Sequence, residues 1–184
     1  MELKKYQKRV INDLGSYLDF LNQTDSLSAS YEKYWASKQV AVGAGGIHSY
    51  QNIIDGVPHV CYKVPTGGGK TLLACASVRP IFDALPIRKP KAVVWLVPSD
   101  AILTQTLAAL KDSNHLYRQQ LNLDFGSRVE VYSKKELLAG QNFNPATVAE
   151  QLTVMVLSYD SFRSANKEGR KAFQANGALE PFRT

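Results

Sequence analysis

Four short runs rich in β-branched and aromatic residues limit what this chain can fold into, because helical or loop stretches separate them. The runs are VPHVCYKV at 57–64, AVVWLV at 92–97, VEVYS at 129–133 and TVMVLS at 153–158. The second and fourth are apolar on both faces, which is typical of central strands in a parallel sheet that is covered on each side. The alternation of strands and crossovers predicts a three-layer α/β domain.

The composition is that of an ordinary globular protein, with 184 residues of which 45% are hydrophobic and 21% charged. This length is enough for one sizeable domain. No apolar run approaches the roughly 20 residues that span a bilayer. The charged N-terminus MELKKYQKRV lacks the apolar core of a signal peptide. Cys61 and Cys75 are too few for a disulfide framework. We therefore expect a reducing, cytoplasmic setting and no membrane contact.

The N-terminal part of the chain is predicted to be helical. Residues 3–21 carry apolar side chains at three- and four-residue spacing, which forms one stripe along a helix. A second helix is predicted over 31–42, and GAGG at 43–46 is expected to be a flexible joint. We therefore expect a helical segment over residues 1–55 and an α/β domain over residues 56–184.

The stretch VPTGGGKTLLA at residues 64–74 lies between the first β-rich run and a series of good helix formers. Glycine adopts backbone dihedrals that a Cβ atom forbids, so consecutive N–H groups can point inward and surround an anion. The following helix adds unpaired N–H groups and the positive end of its dipole. This pattern predicts a loop at residues 65–69 that binds the phosphates of a nucleoside triphosphate.

Two residues of this loop carry specific roles. Lys70 can reach the outer phosphates as a mobile charge and is the predicted catalytic residue, while the hydroxyl of Thr71 can bind Mg²⁺. The strict pattern GxxxxGK[ST] has glycine where this chain has Val64, and Pro80 is expected to kink or end the helix. The alternative is a glycine-rich turn without a ligand. The predicted nucleotide-binding residues of the loop are Thr66, Gly67, Gly68, Gly69, Lys70 and Thr71, with Thr66 and Gly67 closing the turn.

Four segments in this order, LKKYQKRV, VPTGGGKT, VVWLVPSDAILTQTLAAL and VMVLSYDSF, resemble the motifs of the first motor domain of superfamily-two helicases and translocases. Within that group the chain looks most like the restriction subunit of type III restriction enzymes and its DEAD/DEAH-like relatives. The resemblance implies a RecA-like P-loop NTPase fold, here incomplete, with helices on both faces of a parallel sheet. It also implies ATP and Mg²⁺ as cofactors, duplex DNA as a partner, and a modification or specificity subunit as a further partner.

The resemblance assigns adenine recognition to Tyr6 and Gln7. On a helix, Gln7 falls inside the apolar stripe, about 40° from Leu3 when each residue turns about 100°. A buried carboxamide is costly unless its donors and acceptor are bonded. One amide can pair with adenine through both its N–H and its oxygen. The alternatives are that Gln7 caps the neighbouring backbone or lies exposed at a frayed helix end.

The resemblance also assigns contacts with the nucleic-acid backbone to Pro98, Ser99 and Ser158. Pro98 ends the strand, and Ser99 can either cap the next helix or contact a phosphate. Ser158 stands where the family has Thr, so it keeps the hydroxyl and loses the methyl group. A set of basic residues beyond it has helical spacing and forms either a phosphate-binding face or a solvated one; the set is Arg163, Lys167, Arg170 and Lys171.

Two further features are open to two interpretations. The net charge of +6 is compatible with nucleic-acid binding but does not establish it. Tyr31, Tyr34 and Trp35 can stack on bases, or they can pack the second helix onto the domain.

The family also uses adjacent Asp and Glu residues, which bind Mg²⁺ and polarise the attacking water. This chain contains no Asp–Glu dipeptide. We therefore expect part of a larger ATP-driven DNA translocase, the motor of a restriction system. By itself this part should bind nucleotide weakly or not at all, and should not hydrolyse ATP at a useful rate. The alternatives are a P-loop NTPase that does not act on nucleic acid and a non-catalytic nucleic-acid-binding module.

Overall fold

The computed structural model describes residues 2–85, 91–139 and 148–159. The chain divides into two compact units, Met1–Pro86 and Ile87–Thr184. The basic residues predicted between 163 and 171 lie outside the described residues, as does most of the last segment of the chain.

The first unit contains three helices, α1 (Lys5–Gln23), α2 (Leu27–Ser37) and α3 (Lys70–Ala84). Both predicted N-terminal helices are confirmed, each displaced by a few residues. The predicted joint at residues 43–46 is a closed loop, in which the Gly43 N–H donates to Ile47 O and the Ile47 N–H donates to Ala41 O, both at 2.9 Å.

Helix α1 packs against both α2 and α3. Its apolar stripe buries Leu14, Tyr17 and Leu18. Helix α3 is buried on more of its circumference, which is why its sequence is apolar nearly all round; its buried residues are Leu72, Leu73, Cys75, Ala76, Ser77 and Val78. Burying one leucine completely stabilises a fold by about 1.5–3 kcal/mol, so these helices are held together chiefly by side-chain packing.

Pro80 lies inside α3 and does not end it, which corrects one of the two predictions made for this residue. Proline removes one backbone donor from a helix. The helix nevertheless continues to Ala84, and the Leu85 N–H donates to Ile81 O at 3.1 Å beyond its last residue.

The prediction of a strand at residues 57–64 is wrong, since this segment forms no strand. Val57 and Val60 are 44% and 51% exposed. Pro58 has no N–H to donate to a ladder, and no strand among the described residues pairs with the segment. A β-rich composition indicates side chains that suit a half-buried pleated surface, but it does not supply a neighbouring strand.

The described part of the second unit contains a parallel sheet of three strands, β1 (Lys91–Val97), β2 (Val129–Ser133) and β3 (Leu152–Ser158). The strand order is β1-β3-β2, so β3 is central. The register pairs Val97 with Ser158 and Ser133 with Val156. Three of the four predicted strands are therefore confirmed, to within one residue at each end.

Three helices and a short 3₁₀ turn accompany this sheet: α4 (Asp100–Lys111), α5 (Leu116–Phe125), α6 (Lys134–Ala139) and the turn Val148–Glu150. Helix α4 packs against all three strands, α5 against β2, and α6 against β2 and β3. The parallel sheet with helices packed on it confirms the α/β fold class.

The central strand β3 is buried on both faces, since Val154 and Met155, which point to opposite faces, are 1% and 6% exposed. The prediction of a central strand is wrong for β1, because no strand among the described residues pairs with its other side. Its Val94 and Leu96, which lie on one face of the strand, are 55% and 44% exposed, so the described residues leave that face largely uncovered.

Two charged side chains connect the elements of this unit. Arg118 on α5 donates to Leu110 O at 3.2 Å and to Val129 O at 2.6 Å, which connects the end of α4 to the start of β2. Glu136 on α6 accepts from Lys111 Nζ at 2.6 Å and from the Ser133 N–H at 2.8 Å. Burial alone would raise the pKa of Glu136, but the hydrogen bonds from Lys111 and Ser133 and the Lys111 charge outweigh it and lower the pKa to about 2.

Candidate functional site

The loop before α3 is a tight turn with the backbone expected of it. The Gly68 N–H donates to Pro65 O at 3.0 Å, so Thr66 and Gly67 are the two central residues of a β-turn. Gly67 has φ +76°, and a positive φ at the second central residue is a requirement of type II turns. The prediction that Thr66 and Gly67 close the turn is confirmed.

Each of the three glycines in this loop is needed for a separate reason. Gly67 and Gly69 have φ of +76° and +72°, where other residues are strained. A Cβ atom on Gly69 would lie 2.7 Å from Gln7 Nε2. A Cβ atom on Gly68 would lie 2.6 Å from Val64 Cγ1 and 2.9 Å from Pro65 O. Close approach of the backbone therefore excludes a side chain at Gly68, whereas positive φ requires glycine at Gly67, which has no atom within 4 Å of an added Cβ, and at Gly69.

The start of α3 has no side-chain cap. Gly69 is the N-cap residue and has no side chain, so no side-chain hydrogen bond caps the helix. The first N–H groups of a helix have no partner inside it, and they point along the axis towards the positive end of the dipole. Phosphates are the groups that such a terminus accommodates, so the residues present fit the cofactor that the sequence predicts.

Lys70 is the first residue of α3 and is exposed. Its Nζ donates to Pro65 O at 3.1 Å, which brings the ammonium group back over the glycine turn. Thr71, the predicted Mg²⁺ ligand, follows in the first turn of the helix and is half-buried. The loop therefore presents a mobile cation next to the uncapped helix terminus.

Tyr6 and Gln7 contact this loop directly. The Tyr6 hydroxyl donates to Gly68 O, and Gln7 Nε2 donates to the same oxygen at 3.4 Å, which is a long hydrogen bond. Gln7 Oε1 accepts from the Lys4 N–H at 2.9 Å, and the residue is 4% exposed. Gln7 is therefore buried in the apolar stripe of α1, as predicted, and its side chain also caps the backbone at Lys4, which was one of the alternatives. The described bonds use one N–H of the amide and one lone pair of its oxygen, so recognition of adenine by Gln7 stays a prediction.

The contact between Gln7 and Gly68 joins residues 61 positions apart. The sequence motifs indicate both segments separately but not this contact. No local pattern signals it, since helical spacing reports which face of α1 is apolar and not what covers that face.

The three residues predicted to contact nucleic acid lie in the second unit, at the carboxyl ends of adjacent strands. Val97 pairs with Ser158, and Pro98 and Ser99 follow β1 directly. In open α/β sheets, ligands bind in the crevice beyond the carboxyl ends of the strands. The sheet therefore brings the two predicted hydroxyl groups to one edge.

The environment of these two serines differs. Ser99 is the N-cap of α4, and its hydroxyl accepts from the Ile102 N–H at 3.4 Å, so the capping role is observed. Ser158 is 2% exposed and has to become more accessible before its hydroxyl can meet a phosphate. Their contacts with nucleic acid stay predictions.

Within residues 2–85, 91–139 and 148–159, no three His, Cys, Asp or Glu side chains come together in a way that could hold a metal ion. The same ranges contain no helix with the length and apolar character that crossing a membrane requires.

Comparison with protein families shows a match to the type III restriction enzyme, res subunit, over residues 1–178. Comparison with curated proteins found no match, and comparison with solved structures found none. The family match covers both the glycine loop and the strand that ends at Ser158.

Proposed function

Because the chain belongs to the family of the type III restriction enzyme res subunit, we propose that it binds ATP and Mg²⁺ in an ATP-driven DNA translocase. The glycine loop is the observation that carries this proposal. Its three glycines are each needed by the backbone geometry, and they lead into an uncapped helix that starts with Lys70. A turn without a ligand has no need for an open helix terminus and a lysine at the same place.

The loop residues hold the nucleotide through its phosphates. The N–H groups of Gly67 to Gly69 and of the first turn of α3 donate to phosphate oxygens. Lys70 leaves Pro65 O and places its charge on the outer phosphates, and the Thr71 hydroxyl is the ligand that this loop offers to Mg²⁺. Bound Mg²⁺ neutralises charge on the phosphate oxygens.

The base is recognised by the N-terminal segment. Tyr6 and Gln7 both bond to Gly68 O, so the residues proposed to read adenine already contact the loop proposed to bind phosphate. The amide of Gln7 has one N–H and one lone pair left for the base. We propose that this contact aligns the two ends of the nucleotide site.

The DNA contact is proposed at the sheet edge beyond β1 and β3. Hydroxyl groups and free N–H groups at a helix start contact phosphates without reading the sequence, so Pro98, Ser99 and Ser158 would position a duplex and not select one. The partner that selects the sequence is proposed to be a modification subunit, and the setting the cytoplasm.

Hydrolysis needs a group that polarises water, and the 184 residues contain no adjacent Asp and Glu. We propose that the chain alone holds ATP weakly and turns it over too slowly to be useful. Steady turnover by the purified chain that is lost in Lys70→Ala would contradict this part of the proposal.

A titration with a fluorescent ATP analogue tests the nucleotide site. Lys70→Ala removes the only side-chain charge of the loop and should weaken binding by about tenfold or more, since hydrogen bonds to charged groups contribute about 1.5–3 kcal/mol. The control Lys33→Ala removes an exposed lysine on α2 and should leave binding unchanged. Equal binding by the native chain and Lys70→Ala would remove the phosphate-loop assignment.

DNA binding is tested by gel shift with duplex and single strands, each with and without ATP. A duplex shift that changes with ATP supports the translocase. DNA binding that is the same with and without ATP indicates a non-catalytic nucleic-acid-binding module. The absence of a shift with both duplex and single strands indicates an NTPase that acts on another substrate.

A further inference from the structure

A cavity of about 250 Å³ lies in the first unit, away from the residues proposed for the nucleotide. One face of α1, the aromatic residues of α2 and the segment 59–64 form its walls. Tyr6, Gln7 and the loop at 65–69 do not line it. Binding sites for drug-sized molecules run from about 300 Å³ upward, so this space suits a single ring system better than a whole nucleotide.

The walls of this cavity are aromatic and held in a fixed arrangement. Tyr17 meets Tyr34 edge to face at 5.7 Å between ring centroids, and Tyr34 meets Trp35 in the same way at 5.2 Å. Trp35 then contacts Tyr31 at 6.1 Å. The packing of α2 onto α1 is thus observed, but all four rings also line the cavity. Rings that are already ordered can stack on a planar ligand without a further loss of conformational freedom.

Polar groups interrupt the aromatic wall at a few points. Asp13 and Lys63 both line the cavity, and Asp13 forms an ion pair with Lys38. An apolar wall with a small number of polar groups is the usual composition of a site for an organic ligand. Asp13 already has Lys38 as a partner, and a heterocycle carries further donors and acceptors that such polar groups can bond, whereas a hydrocarbon carries none.

Tyr17 supplies an independent sign that a partner belongs here. The residue is 6% exposed, and its hydroxyl has no hydrogen-bond partner within the described ranges. Burial raises the pKa of Tyr17 to about 12, so the hydroxyl remains a neutral donor. Tyr62, which lines the same cavity, has a partner in Ser77 at 2.9 Å. Buried hydroxyls are normally bonded, and this one belongs to a residue that lines the cavity.

We propose that this cavity binds a nucleobase, at a site separate from the phosphate loop. The aromatic rings stack on the base, and Tyr17 donates to one of its ring nitrogens or carbonyl oxygens. The base belongs either to a free nucleoside or to a nucleic-acid strand with an unstacked nucleotide, and the two sources differ in the phosphates that accompany the base. The site does not depend on Lys70, so the proposal stands or falls independently of the proposed function.

Calorimetric titrations of the full chain with adenosine, with a short oligodeoxyadenylate and with an abasic strand of equal length test this proposal. Binding of adenosine identifies a free base as the ligand, and binding of the oligodeoxyadenylate alone identifies a strand. In either case Tyr17→Phe should weaken binding about tenfold without lowering the melting temperature, because the lost hydroxyl has no protein partner. Tyr117→Phe, which removes a hydroxyl outside the cavity, should bind as the native chain does.

A second variant keeps the test decisive if Tyr17→Phe folds poorly. Trp35→Leu removes one stacking surface and should also weaken binding about tenfold, while Lys33→Ala, at an exposed lysine that does not line the cavity, should leave it unchanged. The proposal is overturned if neither adenosine nor the oligodeoxyadenylate binds, since the cavity then holds only water. It is equally overturned if the abasic strand binds as well as the oligodeoxyadenylate and adenosine does not bind, or if both cavity variants bind like the native chain.

Discussion

At the scale of single residues, the glycine loop shows why a side chain is excluded from three successive positions. The glycine pattern predicted an anion-binding loop, because glycine adopts backbone dihedrals that a Cβ atom forbids. It did not predict that Gly68 is needed for its contacts with Val64 and Pro65, because that reason depends on how closely two backbone segments approach.

Gly68→Ala should destabilise the chain by about 1–3 kcal/mol, the usual cost of forcing an extra group into a packed site. The added methyl group would meet Val64 Cγ1 at 2.6 Å. Gly15→Ala is the matched control: it lies inside α1 with no atom within 4 Å of the new Cβ. The free energy of unfolding of this control should rise by about 0.5–1 kcal/mol, because alanine is favoured over glycine inside a helix. Denaturant unfolding measures the stability of both variants. If Gly68→Ala is as stable as the native chain, Gly68 does not lie as close to Val64 and Pro65 as described.

Glu136 should make the chain sensitive to acid. Its pKa is lowered from 4.5 to about 2 in the folded state, so its contribution to stability is present above the unfolded pKa and is lost as the pH falls towards 2. Glu136→Gln should lower the free energy of unfolding by about 1–2 kcal/mol at neutral pH. This figure already allows for solvent screening, since the Lys111 partner is partly exposed.

Denaturant unfolding at a series of pH values measures this effect. The difference between the native chain and Glu136→Gln should shrink below pH 4.5 and disappear near the folded pKa. Glu150→Gln, at an exposed glutamate, serves as the control. A difference that is constant with pH would contradict the role given to Glu136.

At the scale of helices and strands, a β-rich composition predicted the strands correctly where a neighbouring strand was available to pair with them. The runs at 92–97, 129–133 and 153–158 form the parallel sheet, whereas the run at 57–64 has similar residues and forms no strand. A strand requires a neighbour to complete its hydrogen bonds, and that neighbour cannot be read from the strand itself. The same limit applies to β1, which was expected to be central and has a neighbouring strand on one side only among the described residues.

Ser99 allows its two roles to be separated. Ser99→Ala should cost α4 about 1 kcal/mol through the lost cap. Ser99→Asp keeps a good N-cap acceptor, so stability should be retained, but the added negative charge should weaken DNA binding about tenfold. Ser113→Asp adds the same charge at an exposed serine and should change neither property. Gel shifts measure DNA binding, and thermal melts measure stability. Normal DNA binding by Ser99→Asp would leave helix capping as the only role of Ser99.

At the scale of the whole chain, the sequence predicted the two segments of the proposed nucleotide site but not the contacts between them. The glutamine segment and the glycine loop are 61 residues apart at their contact, and Gln7 fills the space that a side chain on Gly69 would need. The family match over residues 1–178 covers both units. Long-range contacts of this kind depend on the packing of α1 against α3, which no local pattern records.

The central claim is that the backbone before α3 binds a triphosphate, and backbone amide NMR during a titration with ATP and Mg²⁺ tests it most directly. Even weak binding should shift the amide resonances of Gly67 through Thr71, and Lys70→Ala should reduce those shifts. Resonances in this loop that stay unchanged at saturating ATP, or that shift equally in Lys70→Ala, would contradict the claim.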